Sequence, residues 1–373
     1  MRMLIAGGGT GGHVFPGVAI AEEFLARDPC NEVLFVGTRR GLEFQVLARL
    51  GYQLRTILVR PLAEMGMLRA LLGCVALPIA VVQSLWVMIV FRPQVVVGVG
   101  GYASGPAVAA AWLLRLPTMI VEVNFAPGLT SRILGRFVWA VVTAFAGTAG
   151  AFPPGKSLHL GSPLRRQMLE GNEPGGPGRD GCRFTIFVFG GSQGAHAINV
   201  AMMGALPHLT RLREQIRIVH QTGQREVELV RLAYAVQGLQ AEVHAFIDDM
   251  ARHYREADLV VSRAGAMAVA ELTALGKAAI LIPYPYAAGG HQVRNAMALQ
   301  EAGAAEVLLQ HELTGEALAD RIAFYVADSA RLRAMAERSK ELGRPDAARR
   351  CVDLAYDVAM RQRMEFRAHA VGP

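Results

Sequence analysis

Met3-Leu4-Ile5-Ala6-Gly7-Gly8-Gly9-Thr10-Gly11-Gly12 is a short apolar run that breaks into glycines. Four apolar residues bounded in this way read as a buried strand. Glycines after a strand let the backbone approach a ligand closely, and the helix that follows turns its first amides toward negative charge. The same pattern returns about half a chain later, where Phe184–Phe189 leads into Gly190-Gly191-Ser192-Gln193-Gly194. Two related halves are therefore expected, each opening on a strand and a ligand-facing glycine loop.

Outward from these two stretches, short apolar runs alternate with helical spacing. Glu32–Val36, Arg55–Val59, Val95–Val99 and Thr118–Val121 read as strands of the first half. Ile216–Val219, Glu242–Phe246, Leu259–Val261 and Ala279–Ile282 read as strands of the second. Between them lie helical sets such as Ala19, Ile20 and Phe24, or Leu42, Val46, Leu47 and Leu50. This alternation predicts an α/β protein of two doubly wound parallel sheets covered by helices, facing across a cleft. Gly147–Pro163 is poor in helix signals and Gly171–Gly181 reads as a surface loop, so the boundary is placed at residues 162 and 163. A last helix, about Pro345–Met364, follows the second sheet and is expected to pack back on the first domain.

A chain of 373 residues suits two domains, and 52% apolar against 18% charged residues excludes disorder for most of it. The net charge of +7 fits an anionic partner, whether nucleic acid, an acidic membrane or a phosphorylated substrate. Cys30, Cys74, Cys182 and Cys351 are scattered, which indicates neither a zinc site nor a disulfide framework. That cysteine usage predicts a reducing cytoplasm; Met1–Ala6 runs straight into glycines and does not read as a signal peptide. Ala70–Phe91 carries no charge and would span about 33 Å as a helix. Pro78, Gln83 and Ser84 interrupt it, and it lies between two strands of one sheet. A helix partly buried and partly dipping into a bilayer interface is favoured over a span.

Several motifs carry chemistry. Gly7-x-Gly9-x-x-Gly12 fits the dinucleotide fingerprint, but the second strand ends in Val36-Gly37-Thr38 without the acid that holds a ribose, which leaves hydride transfer as the lesser reading. Gly150-x-x-x-x-Gly155-Lys156-Ser157 mimics a phosphate loop; Pro153 and Pro154 remove two amides that would cradle phosphate, so it is rejected. His13 follows the first loop, either as a solvent-facing histidine or as a base that works near neutral pH. Ser262–Ala266 ends a strand and opens an apolar helix carrying Glu271, a first-turn carboxylate or an acceptor for two ribose hydroxyls. Gly290-His291-Gln292 precedes a further helix, where polar groups would read sugar hydroxyls.

With these residues in place the chain resembles the MurG family of glycosyltransferases over nearly its full length. The resemblance is carried by Gly8–Pro16 (GGTGGHVFP), Gly100–Pro106 (GGYASGP), Gly190–Ala195 (GGSQGA) and Phe246–Met250 (FIDDM), with Arg263–Glu271 and His291-Gln292 plus Asn295. It implies the GT-B fold, with residues 1–162 and a returning helix of about 345–373 serving acceptor and membrane, and residues 163–344 holding the donor. It implies inverting transfer of N-acetylglucosamine from UDP-N-acetylglucosamine to the C4 hydroxyl of muramic acid in lipid I. The product would be lipid II, for peptidoglycan synthesis. No cofactor and no metal are implied, and no Asp-x-Asp triplet lies near the donor segments.

Carried over by position, the backbone of Ile247 reads uracil and Glu271 the ribose. Ser192 and the amides of Gly265, Ala266 and Met267 hold the diphosphate, while Asn124, Arg165 and Gln292 line the donor pocket. Thr10, Gly11 and Gly12 border the donor. Gly9, Thr10, Gly12, Gly101, Tyr102 and Ser104 face the acceptor pyrophosphate, and His13 is the candidate base. The implied partners are UDP-N-acetylglucosamine, lipid I, other cell-wall synthesis proteins and an anionic inner membrane, met peripherally on its cytoplasmic face; nucleic acid is not among them. Val123, Ser162, Ala268 and His196 depart from the family's usual glutamine, asparagine, threonine and arginine. A related GT-B transferase acting on another lipid, and a non-catalytic membrane scaffold of this fold, are the alternatives; the scaffold would tolerate loss of His13 and Glu271, and both are present.

Overall fold

The computed structural model describes residues 1–9, 11–39, 42–59, 67–170 and 183–370. The chain divides into two compact units, Met1–Arg166 with Pro345–Pro373, and Gln167–Arg344. The expected loop at 171–181 and the site candidate Thr10 lie outside the described residues.

The first unit runs β1 (Arg2–Ala6), α1 (Gly11–Arg27), β2 (Glu32–Gly37), α2 (Leu42–Arg49), β3 (Leu54–Thr56), α3 (Met67–Phe91) and β4 (Val95–Gly98). It continues through α4 (Ser104–Leu113), β5 (Thr118–Glu122), α5 (Leu129–Leu134), β6 (Ala140–Thr143) and β7 (Ser157–His159); the division of the chain falls within the short α6 (Arg166–Leu169). The sheet order is β3-β2-β1-β4-β5-β6-β7, with every pair parallel. Met3–Ala6 and Val95–Val97 are fully buried, because strands covered on both faces have no solvent side to alternate toward.

The second unit holds β8 (Phe184–Phe189), α7 (His196–Leu209), β9 (Ile216–Gln221), α8 (Val227–Val236), β10 (Ala241–His244), α9 (Met250–Glu256) and β11 (Leu259–Ser262). After these come α10 (Ala266–Leu275), β12 (Ala278–Leu281), α11 (His291–Glu301), β13 (Glu306–Val307), α12 (Gly315–Ala327) and α13 (Ser329–Leu342). Its order is β10-β9-β8-β11-β12-β13, again all parallel. The last helix, α14 (Ala347–Ala370), belongs to the first unit. Arg27 holds it through Asp353 at 2.6 Å, and Phe24 meets Tyr356 at 5.6 Å between ring centroids.

Three strands escaped the sequence. β6 and β7 extend the first sheet within stretches read as loop or left unassigned, and β13 adds two residues to the second. The edge strands β7 and β13, of three and two residues, carry too little pattern to stand out, and β6 is a run of only four. Two expected strands are shorter than read. β3 stops at Thr56, and β10 stops at His244, leaving Phe246 half exposed. Ser157 of the rejected phosphate-loop match opens β7, where a phosphate loop requires a helix.

α3 shows how an uncharged segment serves a sheet. Ala80, Ser84, Val87 and Met88 face inward, with Ser84 Oγ donating to the Ala80 carbonyl at 2.7 Å. Gln83 Oε1 accepts from Leu58 N at 2.7 Å, so both interrupting polar residues are satisfied locally. Among the described residues no helix is long and apolar enough to cross a membrane.

Candidate active site

In both sheets the order reverses beside the first strand, between β1 and β4 and between β8 and β11. Connections leave such a point in opposite directions, so a crevice opens at the strand C-termini and receives ligands. The glycine loops singled out from the sequence occupy both points.

In the first unit, the loop after β1 and the loop after β4 interlock. Gly101 has φ 77°, and a Cβ there would lie 1.9 Å from the Gly8 carbonyl oxygen. A Cβ on Gly100 would lie 2.5 Å from His13 Cδ2. Only glycine lets these backbones touch, and the contact seats the imidazole of the first turn of α1 on the second loop. Tyr102 lies beside Gly9, and Ser104 opens α4 almost fully buried.

Glu43 fixes the first loop, and sequence reasoning missed it. The α2 spacing pointed to Leu42, Val46, Leu47 and Leu50; among the described side chains of this helix Glu43 and Leu47 are buried almost completely, while Leu50 is exposed. The Glu43 carboxylate accepts from Gly9 N at 2.7 Å, Thr38 N at 2.8 Å and Thr38 Oγ1 at 2.7 Å. Three donors compensate its burial. The Gly9 amide is thereby committed to protein, and the α1 N-terminus supplies the neighbouring amides. The only signal for Glu43 was a carboxylate at an otherwise core-facing position.

Asn124 follows β5 and is held by Glu122, whose Oε1 accepts from Asn124 N at 3.0 Å and from Asn124 Nδ2 at 3.2 Å. Glu122 Oε2 accepts from Gly128 N at the start of α5. Arg165 lays its guanidinium over the Phe15 ring at 4.8 Å, one residue pair beyond His13 on α1. A planar cation stacked in this way is oriented without being neutralised.

In the second unit, Ser192 is exposed on the loop between β8 and α7. A Cβ on Gly194 would come 1.9 Å from the Thr222 carbonyl oxygen, so this loop packs on the end of β9. Gly265 is the N-cap of α10, in extended backbone, so the Gly265–Met267 segment forms the helix N-terminus with no capping side chain at its first position. Glu271 lies further along α10, where its Oε2 accepts from Tyr254 Oη at 2.9 Å. Burial, then Glu271, raise the Tyr254 phenol well above its usual pKa, so it remains a donor. Gln292 Oε1 accepts from Tyr284 N at 3.0 Å, and buried Asn295 donates to the Ala264 carbonyl at 3.2 Å. Arg263 points into the protein instead of the crevice. It donates to the Ile282 carbonyl at 3.0 Å and to Gln310 Oε1 at 2.9 Å, and it stacks on Tyr284.

Ile247 N donates to Gln221 Oε1, and Gln221 Nε2 donates to the Gly191 carbonyl. Behind Gln221 runs a buried chain in which His220 meets Tyr234 Oη and Asn199 Oδ1, each at 3.1 Å. Asn199 Nδ2 reaches the Thr222 carbonyl at 2.9 Å and Glu226 Oε2 at 2.7 Å. Burial lowers the His220 pKa to about 3. An unfolded chain protonates this histidine below about pH 6.5. Between these values the unfolded state holds the extra proton, so the contribution of His220 to stability is complete above pH 6.5 and falls on acidification. The expected loss is about 1.4 kcal/mol per pH unit. Urea unfolding of wild type and His220→Gln between about pH 7 and 5 measures it; equal slopes would show that His220 titrates in the folded state.

Matches to known proteins follow the two units. Residues 3–143 match the glycosyltransferase family 28 N-terminal domain and residues 185–351 its C-terminal domain. The UDP-N-acetylglucosamine--N-acetylmuramyl-(pentapeptide) pyrophosphoryl-undecaprenol N-acetylglucosamine transferase of Syntrophus aciditrophicus (strain SB) is 50% identical over 353 residues, covering 95% of this chain and 97% of its own. The protein of the same name from Anaeromyxobacter dehalogenans (strain 2CP-C) is 48% identical over 362 residues, covering 97% and 94%. The crystal structure of Acinetobacter baumannii MurG matches with a TM-score of 0.76 at 31% identity, over 95% of this chain and 99% of that one.

Two parallel sheets with glycine loops at their switch points, matched along both units in this way, define a glycosyltransferase of the GT-B fold. Sequence identity near one half over almost the whole length narrows the class. The chain belongs to the MurG family.

Proposed function

We propose that this protein transfers N-acetylglucosamine from UDP-N-acetylglucosamine to the C4 hydroxyl of the muramic acid of lipid I, giving lipid II for peptidoglycan synthesis. The observation that carries the reading is 48–50% identity to transferases of that name over 94–97% of their length. In this reading the second unit binds the donor. The Ile247 backbone meets uracil, Glu271 accepts the ribose hydroxyls, and Ser192 with the Gly265–Met267 amides holds the diphosphate. Gln292 orients the sugar from this unit; Asn124 and Arg165 are the donor residues proposed on the first unit. In the first unit Gly9, Gly12, Gly101, Tyr102 and Ser104 face the acceptor pyrophosphate.

The chemistry is a single displacement. The acceptor O4 bonds to the anomeric carbon as the bond from that carbon to the UDP oxygen breaks, inverting configuration. His13 takes the proton from O4. Negative charge grows on departing UDP, where the α10 N-terminus stabilises it by ~0.3–1 kcal/mol, rising to ~2 kcal/mol where the amides are partly buried. Release of UDP, measured with and without a lipid I analogue, tests the assignment. Release that ignores lipid I but responds to another lipid would place the protein with a different acceptor.

A peripheral membrane site on the first unit belongs to the same proposal. Val82, Trp86, Ile89 and Val90 stand exposed on α3. α4 packs against both α3 and α5, and at its end Trp112 contacts Phe137 at 5.2 Å between ring centroids, both half exposed. Arg92, Arg115, Arg132 and Arg136 are exposed on the same segments. Apolar side chains ringed by arginine suit an anionic lipid surface, where each basic residue contributes ~1 kcal/mol. Trp86→Glu should weaken binding to vesicles containing phosphatidylglycerol by about tenfold or more. Unchanged binding in a sedimentation assay would move the contact elsewhere.

A further inference from the structure

Gln221 closes β9 and is 2% exposed. Its Nε2 donates to the Gly191 carbonyl at 2.9 Å while its Oε1 accepts from Ile247 N at 2.7 Å. One amide therefore joins the loop after β8 to the segment after β10. We propose that Gln221 is a positioning residue, setting the distance between the backbone that meets the base and the loop that meets the diphosphate. The inference rests on the donor reading above.

A primary amide is the side-chain group that suits this task. It donates and accepts at once: the buried Ile247 amide needs its acceptor, and the Gly191 carbonyl, which also accepts from Gly194 N at 2.9 Å, is tied to the end of β9 by a second donor. A carboxylate of the same length retains the Ile247 bond but faces the Gly191 carbonyl with a second acceptor. Leucine satisfies neither group. The strand end around Gln221 is held on other sides too. Thr222 N donates to the His244 carbonyl at 3.0 Å, and Asn199 donates to the Thr222 carbonyl. A Cβ on Gly223 would fall 2.3 Å from the Gln193 carbonyl oxygen, so the backbones are in contact there as well. Gln221 thus extends from a fixed platform, and the spacing it sets exists before a ligand arrives. Preorganised spacing favours a ligand that must touch both segments, which a nucleoside diphosphate does and a nucleoside does not.

The test uses the full-length protein, with UDP and uridine as probes in calorimetry. Gln221→Glu should weaken UDP by about tenfold or more, with uridine affected far less. Donor KM should rise by a larger factor than kcat falls. Gln221→Leu should weaken both ligands. A folded Gln221→Glu protein that binds UDP within about twofold of wild type overturns the proposal.

Hydrogen exchange on wild type gives a readout that needs no variant to fold. Uridine alone should slow exchange at 190–195 as well as at 245–249, because the two segments share one tie. Protection confined to 245–249 overturns the coupling. A wild-type protein that binds no UDP at all overturns the donor reading, and this inference with it.

Discussion

His13→Ala should lower turnover by about 10²–10⁴-fold, the range a general base supplies, while UDP affinity stays near that of wild type. The expectation comes from where the ring sits. His13 lies in the first turn of α1, just after the first glycine loop, and it packs where a Cβ on Gly100 would come within 2.5 Å of Cδ2. Two glycine loops therefore fix the backbone and the ring together, as a proton acceptor requires. None of the donor contacts proposed in the second unit depends on it. Steady-state turnover on saturating acceptor, beside calorimetry with UDP, separates the two effects. Wild-type turnover in the variant would hand the proton to another group, and an equal loss in UDP affinity would make His13 a binding residue.

Glu271→Ala should weaken UDP by ~1.5–3 kcal/mol, about 10- to 150-fold, as expected for hydrogen bonds to a charged acceptor. Tyr254 gives this carboxylate one fixed hydrogen bond from a fully buried ring. That ring is wedged edge-on between Phe187 and Phe189, so the carboxylate is oriented by the core. Tyr254→Phe should accordingly cost less than Glu271→Ala, since it frees the carboxylate without removing it. Calorimetry on both variants reads the difference. A Glu271→Ala protein with unchanged UDP affinity would take the ribose away from this residue, whatever Tyr254→Phe does.

The two residues were legible to different degrees. His13 follows a glycine cluster in the sequence, and a loop at a strand end is a plausible place for chemistry wherever it occurs. Glu271 in isolation is an ordinary helix carboxylate; its distinction is the buried phenol from 17 positions away. Arg263 shows the reverse. It stands in a segment that reads as ligand-facing, but its guanidinium ties together the ends of the second sheet. The helix N-terminus that Gly265 opens remains the ligand-facing candidate of that segment.

The sequence by itself determined the α/β class, the two halves, both glycine loops and, through its motifs, the family. All of these depend on patterns confined to a few neighbouring residues: an apolar run, a glycine where φ must be positive or backbones must touch, a helical spacing. Only the tertiary structure decided what holds the loops. Glu43 reaches Gly9 across 34 positions, Gln221 reaches Ile247 across 26, and Asn295 reaches Ala264 across 31. Edge strands β7 and β13 were hidden for a related reason, since two or three residues become a strand only when a neighbour supplies the ladder. A polar side chain on a buried face carries no local sign of the partner it will find. Its role is fixed when the chain brings a backbone amide or carbonyl within about 3 Å of it, at a place where water no longer competes.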